Sequence, residues 1–259
     1  MKVIAISNQK GGVGKTTTSV NLAASIAAAG RRVVLIDLDP QANATSGLGM
    51  DLSEETGSVS LYEPLLGAST AADKVRATGR DNLFLIPSEM DLAGVEIELA
   101  RTDTHLTRLG EVLAPLKAGN EYDFTILDCP PSLGVLMTAS LAAADEILIP
   151  LQCEFYGLEG LAKIMQVVAQ IRESGANPSL TVEGILMTMF DGRTNLARQV
   201  VEEVRRHFPA EVYQTVIPRS VRVGEAPSFG RTVIEHDPDG VAAAAFRALG
   251  LEFLQRHQS

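Results

Sequence analysis

A run near the start of the chain, S-N-Q-K-G-G-V-G-K-T-T-T at residues 7–18, has the residue types that bind phosphate. Its glycines let backbone N–H groups approach an anion, and a helix beginning there directs the positive end of its dipole at the same point. Lys15 would reach the β- and γ-phosphates of a nucleotide, and the Thr16 hydroxyl would coordinate Mg²⁺. The run therefore predicts a site for nucleotide phosphates.

The run departs from the common phosphate-binding pattern at its first position. That pattern, G-x-x-x-x-G-K-[ST], would require a glycine at position 9, where this sequence has Gln9. A second lysine, Lys10, follows it inside the loop. This spacing is a deviant Walker A motif. The alternative is a glycine-rich turn that binds nothing. It fits poorly with K-G-G-V-G-K-T-T, which matches the deviant motif at every position and lies between a strand and a helix.

Carboxylates end two apolar runs. Asp37 and Asp39 close V-V-L-I-D-L-D at residues 33–39, and Asp128 closes F-T-I-L-D at residues 124–128. Open α/β sheets bind ligands at the carboxyl ends of their strands, and an apolar strand ending in Asp is the Walker B form, whose carboxylate lies near Mg²⁺. Asp37 and Asp39 alone would indicate turn-capping acids, but beside the glycine run they indicate a catalytic site.

The elements that must position these residues alternate along the chain. Apolar runs of strand length occupy residues 3–6, 33–38, 83–87, 124–128, 146–151, 182–187 and 213–218. Helical spacing is found at residues 16–29, 91–101, 106–117 and 158–174, in the arginine-rich region around 200–204 and in the chain after 240. Residues 43–60 are predicted to form a mobile loop, and residues 59–66 a short helix. The predicted fold is α/β: a mostly parallel twisted sheet of about seven to eight strands with helices on both faces, a P-loop NTPase of the deviant Walker A type. Residues 1–259 are predicted to form a single domain.

Composition narrows the possible functions. The 259 residues carry a net charge of −10, which argues against a protein that coats nucleic acid with its whole surface. A local basic patch remains possible, because residues 192–231 contain seven arginines and four acids.

Neither a leader nor an apolar run of about 18–20 residues is present, so a cytoplasmic location is expected. The two cysteines, Cys129 and Cys153, are expected to be buried apolar residues and not a disulfide framework.

Six stretches together resemble the partitioning ATPases of the ParA/Soj type, within the deviant Walker A (ParA/MinD) class. They are residues 9–18, 37–49 (DLDPQANATSGLG), 128–134 (DCPPSLG), 150–160 (PLQCEFYGLEG), 187–195 (MTMFDGRTN) and 217–230 (IPRSVRVGEAPSFG). The resemblance covers nearly the whole chain. It implies a slow ATPase that binds ATP and Mg²⁺, forms an ATP-sandwich homodimer and binds double-stranded DNA without sequence preference. It further implies stimulation by a ParB-like centromere-binding protein, movement of chromosome or plasmid origins, and association with the nucleoid.

The resemblance also implies residue roles. The phosphate loop would comprise Lys10, Gly11, Gly12, Val13, Gly14, Lys15, Thr16 and Thr17. Within it, Lys10 would reach across a dimer to the partner's nucleotide, and Thr17 would contact the α-phosphate. Asp39 would orient the attacking water, and Thr16, Asp39 and Asp128 would form the Mg²⁺ site.

Two further groups of residues follow from the resemblance. Met187, Pro218 and Ser220 would contact the nucleotide, with Pro218 and Ser220 flanking adenine. The family usually has Asn where this chain has Ser220, and Ser or Ala where it has Gly224. The DNA-binding positions would be Arg193, Arg219 and Arg222. From charge alone, these arginines could equally be solvated or paired with acids.

Three rival functions fit less of the sequence. A MinD-like membrane-associated positioning ATPase would need a basic amphipathic C-terminal helix, but residues 251–259 contain one Arg and no Lys, so this tail is expected to dock on the core and no membrane partner is expected. An iron–sulfur reductase would need cluster-binding contexts that Cys129 and Cys153 lack. A scaffold that only binds nucleotide would not need Lys10, Asp39 and Asp128 together. Six residues precede Ser7, so no N-terminal winged-helix domain is expected.

Overall fold

An eight-stranded sheet forms the centre of the computed structural model, which describes residues 1–53 and 55–258. The strands are β1 (Lys2–Ile6), β2 (Val33–Asp37), β3 (Arg76–Arg80), β4 (Leu83–Ile86), β5 (Phe124–Asp128), β6 (Glu146–Gln152), β7 (Thr181–Phe190) and β8 (Val212–Pro218). Their order across the sheet is β3-β4-β2-β5-β1-β6-β7-β8. Every neighbouring pair is parallel except β3–β4, which is antiparallel. The predicted α/β fold with a mostly parallel sheet is confirmed.

Helices cover both faces of the sheet. They are α1 (Lys15–Ala28), α2 (Asn43–Gly47), α3 (Tyr62–Leu66), α4 (Leu92–Leu99), α5 (Arg108–Gly119), α6 (Val135–Ala143), α7 (Phe155–Glu173), α8 (Asn195–His207), α9 (Val221–Glu225), α10 (Val233–His236) and α11 (Val241–Arg256), with 3₁₀ turns at Ala72–Lys74 and Ala226–Phe229. The buried apolar side chains form two clusters. Because both faces of the central strands are covered, their sequences are continuously apolar.

The strand register brings the predicted acids together. Asp128, the last residue of β5, is paired with Asp37 on β2 and with Ile6 on β1. The loops that follow these three parallel strands therefore leave the sheet at one edge. These loops carry the glycine run, Asp39 and the segment after Asp128, so the fold assembles the candidate site from three separate parts of the sequence.

The edge strand β3 is absent from the sequence-based prediction. Its sequence, R-A-T-G-R, is polar, and its side chains alternate between half-buried and exposed. Such a strand pairs on one side only, with β4, and lacks the apolar run by which the other seven strands were recognised. The eight strands observed agree with the predicted total of about seven to eight.

Several predicted boundaries shift by a few residues, and β7 extends to Phe190, past the predicted end at residue 187. Part of the predicted mobile loop 43–60 is helical, since α2 covers Asn43–Gly47 after Ala42 turns the chain with φ 53°. Helix α7 begins at Phe155, before the predicted start at residue 158, because extended backbone ends at Glu154. The short helix predicted at 59–66 corresponds to α3.

The C-terminal helix α11 packs on α1 and β8. Phe246, Leu249 and Phe253 are completely buried in this contact, and Ser25 donates a hydrogen bond to the Phe246 carbonyl at 2.9 Å. The expectation that this tail docks on the core is confirmed, and its apolar face is not available to a bilayer. No helix within residues 1–53 and 55–258 has the length and apolarity needed to cross a membrane.

Replacing Phe253 with alanine is expected to lower the free energy of unfolding by about 3–5 kcal/mol, because it leaves a cavity in the core. The Phe253 ring packs edge-to-face on Phe124, with ring centroids 5.1 Å apart. Urea unfolding followed by circular dichroism measures the loss. Leu251→Ala is the control on the same helix, since Leu251 is 59% exposed. Equal losses in the two variants would contradict the docking of α11.

Candidate functional site

The glycine loop between β1 and α1 has the backbone shape of an anion cradle. Gly12 and Gly14 have φ angles of 74° and 89°, in the left-handed region that favours glycine. Gly14 caps α1 and has no side chain with which to satisfy the first N–H groups of the helix. Thr188 on β7 donates a hydrogen bond to the Val13 carbonyl at 2.8 Å, which ties the loop to the sheet. The free N–H groups at this helix end are suited to phosphate oxygens.

Lys15 lies at the base of this loop and is buried. Its ammonium donates a hydrogen bond to the Lys10 carbonyl at 3.2 Å, which holds the side chain across the loop. Burial lowers the pKa of Lys15, and the negative charge of Asp128 is the strongest opposing influence. A bound phosphate would favour the charged ammonium in the same way.

Asp128 is completely buried beside α1. Its Oδ1 accepts a hydrogen bond from the Ser19 hydroxyl at 2.8 Å, whereas its Oδ2 is buried with no hydrogen-bond partner in the described chain. Burial raises the pKa of both Asp128 and Asp37, and the Asp37 charge raises that of Asp128 further. A buried carboxylate oxygen without a hydrogen-bond partner is suited to bind a divalent cation, or a water molecule bound to that cation.

No group of three or more His, Cys, Asp or Glu side chains is arranged to hold a metal ion in residues 1–53 and 55–258. Of the three residues predicted to form the Mg²⁺ site, Thr16 and Asp39 line the cleft and Asp128 is completely buried. Mg²⁺ in nucleotide sites usually binds one or two carboxylates together with substrate phosphates and water.

Asp37, the last residue of β2, and Asp39, which follows the strand, make different contacts in the structure. Asp37 is completely buried, and its Oδ2 accepts hydrogen bonds from both the backbone N–H and the hydroxyl of Thr45, at 2.9 and 2.8 Å. Asp37 therefore anchors the loop and α2. Asp39 lies in the cleft wall, and its Oδ1 accepts a hydrogen bond from the Gln41 N–H at 3.0 Å. No hydrogen bond is assigned to the other oxygen of Asp39 among the described residues, so this oxygen can face a ligand.

An open cleft of about 570 Å³ lies over the glycine loop. A more apolar cavity of about 210 Å³ adjoins it and shares Gly14, Thr17 and Met189 in its wall. The larger cleft is lined by Gly11, Gly12, Lys15, Thr16, Asp39, Gln41, Asn43, Ser46, Pro131 and Pro227, and the smaller one by Thr18, Thr188, Ile217, Pro218, Arg219, Ser220, Val223, Gly224 and Phe246. A cleft that contains lysine, threonine and aspartate side chains, joined to a more apolar cavity, suits phosphates linked to an aromatic base.

The structure corrects the assignment of Met187 to the nucleotide site. Met187 is completely buried in the core, whereas Met189 lines both cavities and has a φ of 52°. The reason is position along β7, because the cleft opens at the carboxyl edge and Met187 lies deeper in the sheet. Pro218 and Ser220 do line the apolar cavity. Sequence reasoning also missed Asn43 and Ser46 on α2 and Pro227 in the 3₁₀ turn, since such short elements do not show a helical period.

Lys10 precedes Gly11, which lines the cleft, and its side chain is held by contacts with its own chain. Its ammonium lies 3.4 Å from the Gln152 side-chain oxygen and 3.7 Å from a Glu154 carboxylate oxygen. Gln152 donates a hydrogen bond to Glu154 at 2.7 Å, which joins the two groups. The Lys10 side chain is 32% exposed. It can therefore move toward another molecule at the cost of only weak surface contacts.

The three arginines predicted to bind DNA follow neighbouring strands at the same edge of the sheet. Arg193 comes after β7, while Arg219 and Arg222 come after β8, and their side chains are 59–88% exposed. Each is paired with an acid. The pairs are Arg193–Asp191 at 2.7 Å, Arg219–Glu154 at 3.6 Å and Arg222–Glu225 at 2.9 Å. The charge count over residues 192–231 overstated the basic patch, because Asp191 and Glu154 lie outside it.

The two cysteines are buried as predicted. Burial raises the pKa of both the Cys129 and the Cys153 thiols to about 12. Buried, protonated thiols of this kind behave as small apolar side chains, as the sequence predicted.

Comparisons with known proteins agree with this geometry. A family model described as AAA domain matches residues 1–182. The chain is 49% identical over 255 residues to the chromosome partitioning protein ParA of Myxococcus xanthus, covering 98% of this chain and 88% of that protein. It is 48% identical over 251 residues to the sporulation initiation inhibitor protein Soj of Bacillus subtilis, covering 97% of each. Among solved structures, cobyrinic acid a,c-diamide synthase from Mycobacterium smegmatis with bound ATP analog and magnesium aligns over 100% of this chain and 96% of its own, with a TM-score of 0.84 and 33% identity.

Proposed function

Because the chain belongs to the ParA/Soj family of chromosome-partitioning ATPases, we propose that it is a DNA-segregation ATPase that acts as an ATP-dependent dimer. The observation that carries the proposal is a cleft lined by Lys15 and Asp39, with Asp128 buried against Ser19 on the helix that begins at Lys15. Lys10 lies in the adjoining glycine loop. Phosphoryl transfer needs positioned charge more than covalent chemistry, and this group supplies it. The higher identity to the partitioning proteins favours their activity over that of the synthase.

The ligands of this chain are ATP and Mg²⁺. The structurally similar synthase was crystallised with an ATP analog and magnesium, and the residues of this cleft fit both. Thr16 and the unpartnered Asp128 Oδ2 would hold the ion, which neutralises phosphate charge when bound. Pro218, Ser220 and Met189 would enclose the base in the apolar cavity. Asp39 would accept a hydrogen bond from the attacking water.

Dimer formation would complete the site. Lys10 rests on Gln152 and Glu154 of its own chain, and it would leave these contacts to reach the phosphates held by a second copy. A cation supplied by a partner acts like the arginine finger of other P-loop enzymes. Hydrolysis would then require two copies facing each other, and a slow basal rate would result.

The dimer would bind DNA through Arg193, Arg219 and Arg222. Exposed ion pairs are worth at most about 1 kcal/mol, so DNA phosphates can displace Asp191, Glu154 and Glu225 from these arginines. Two copies of the patch on one dimer would raise the affinity above that of a single subunit. Association with the nucleoid follows, and a ParB-like centromere-binding protein would stimulate hydrolysis to release the dimer.

Binding to a fluorescent double-stranded DNA of arbitrary sequence tests this function. We expect binding with ATP, little with ADP or without nucleotide, and equal affinity for unrelated sequences. Joint replacement of Arg193, Arg219 and Arg222 by alanine should lower affinity at least about tenfold and flatten its dependence on salt, because phosphate contacts set that slope.

A charge-matched control separates this patch from net charge. Joint replacement of Arg31, Arg101 and Arg247 by alanine also removes three positive charges, from positions outside the proposed patch. We expect the control to keep nearly all of the DNA affinity and of the salt dependence. If the patch variant binds as tightly as the control variant, the DNA-binding assignment is wrong.

A further inference from the structure

Two segments that line the cleft also touch each other. Asn43 and Ser46 belong to the first, residues 43–49, and Pro227 belongs to the second, residues 226–230. Helix α2 packs against the 3₁₀ turn Ala226–Phe229, and a Cβ atom added at Gly47 would lie 3.7 Å from Pro227. The first segment follows Asp39, and the second follows the helix that carries Arg222. The contact thus joins the region of the proposed water-orienting acid to the region of the proposed DNA contacts.

Two glycines make the closest contact between the segments. Gly49 and Gly230 have φ angles of 71° and 62°, so both adopt the left-handed conformation. A Cβ atom added at Gly49 would lie 3.0 Å from the Gly230 Cα, and one added at Gly230 would lie 2.7 Å from the Gly49 Cα. Side chains at either position would force the segments apart.

Arg80 bonds to both segments at once. From the edge strand β3, its guanidinium donates hydrogen bonds to the Leu48 carbonyl at 3.0 Å and to the Gly230 carbonyl at 2.8 Å. Glu235 on α10 accepts two further hydrogen bonds from Arg80, at 2.8 and 3.0 Å, and fixes its planar orientation. The Arg80 side chain is only 19% exposed. A planar group with several fixed donors can bridge two carbonyls in this way, and a lysine cannot do so with the same geometry.

We propose that Arg80 is a positioning residue that makes segment 226–230 respond to the terminal phosphate of ATP bound beside Asp39. The Asp39 carbonyl accepts a hydrogen bond from the Ala42 N–H at 2.8 Å, and Ala42 immediately precedes α2, so a shift at Asp39 is passed to the start of that helix. Arg80 and the glycine contact then transmit that shift to Gly230 and the turn before it. The inference rests on the proposed function, because it requires ATP in the cleft.

Hydrogen–deuterium exchange tests the link, with a non-hydrolysable ATP analogue compared against ADP. The two nucleotides share the base and differ at the terminal phosphate. Direct contacts of the base with residues 217–224 therefore affect exchange equally in both samples, and they cancel when the two exchange rates are compared. In the wild-type protein we expect the ATP analogue to slow exchange relative to ADP about fivefold or more in both segments, which is the lower end of usual coupling. In Arg80→Met, the difference should persist at residues 41–47 and disappear at 226–231.

Two further variants keep the test specific. Arg76→Met is the matched control, because Arg76 lies on the same strand and forms an ion pair with Glu55, and it should retain the wild-type difference in both segments. Gly49→Ala should also abolish the difference at 226–231, because its added Cβ would push Gly230 away and separate the two segments while leaving Arg80 in place. Thermal unfolding monitors the fold of each variant, since a merely structural loss would affect exchange with both nucleotides equally.

The outcomes separate this inference from the proposed function. If nucleotide titration shows that the wild-type protein does not bind ATP, the proposed function fails and the inference fails with it. If ATP binds but residues 226–231 do not distinguish it from ADP, only the inference is overturned. A difference at 226–231 that survives in Arg80→Met would also overturn it.

Discussion

Replacing Lys10 with alanine is expected to lower ATP hydrolysis about 10³-fold, the lower end of what a cation supplied by a partner contributes in related chemistry. ATP binding to the monomer should persist, because Lys15 and the glycine loop remain intact. The ATP-dependent dimer should be lost, since Lys10 would no longer neutralise the phosphates held by the second copy. Phosphate release measures hydrolysis, nucleotide titration measures binding, and light scattering measures the mass of the assembly.

The matched control for this prediction is Lys163→Ala. Lys163 is another partly exposed lysine paired with a glutamate, Glu159, at 2.7 Å. Its replacement removes the same charge and should leave hydrolysis and dimer formation unchanged. A Lys10→Ala protein that dimerises and hydrolyses ATP like the control would refute the role of Lys10 in the partner's site.

The contacts that hold Lys10 in the single chain also bear on this prediction. Gln152 and Glu154 contact its ammonium at 3.4 and 3.7 Å on a partly exposed surface. Such contacts are worth less than about 1 kcal/mol, so they orient the lysine without trapping it. The phosphates of a facing subunit offer a much higher negative charge and would displace them.

Replacing Asp39 with alanine is expected to lower hydrolysis about 10²–10⁴-fold, the usual contribution of a positioned acid–base group. ATP binding and dimer formation should survive, because Asp39 is not part of the glycine loop and its removal leaves both lysines in place. The variant should therefore accumulate as an ATP-bound dimer. Phosphate release and light scattering with ATP test both parts of the prediction.

Asp51→Ala is a closely matched control for Asp39→Ala. Asp51 accepts a hydrogen bond from the backbone N–H two residues later at 3.0 Å, as Asp39 does from Gln41, but it is exposed. If loss of that turn contact caused the defect, both variants would show it. Normal turnover in Asp39→Ala, or a defect of equal size in Asp51→Ala, would rule out the assigned role.

The two variants should fail at different steps. Lys10→Ala is expected to bind ATP as a monomer, whereas Asp39→Ala is expected to dimerise and stop before hydrolysis. DNA binding with ATP should follow the same division, lost in the first variant and prolonged in the second. If ATP hydrolysis, the mass of the assembly and DNA binding all follow this pattern, they support the proposed order of ATP binding, dimer formation, DNA binding and hydrolysis.

Local chemistry explains why much of the site was predictable from the sequence. The phosphate loop depends on glycines, a lysine and a threonine at fixed spacing, and that spacing is a property of one short segment. Asp128 was recognisable because it ends an apolar strand. Buried parallel strands are continuously apolar, so seven of the eight strands, and with them the α/β class, were also apparent.

Tertiary structure alone decided the features that depend on distant contacts. Strand β3 is polar because it lies at an edge, so its pairing and the placement of Arg80 are set by β4 and not by its own pattern. Met189, and not Met187, lines the cleft, because the position of a residue along β7 determines whether it reaches the opening. The pairing of Arg219 with Glu154 joins residues far apart in sequence. The sequence by itself determined the phosphate chemistry, whereas the fold decided which side chains surround it, because contacts across the sheet leave no local pattern.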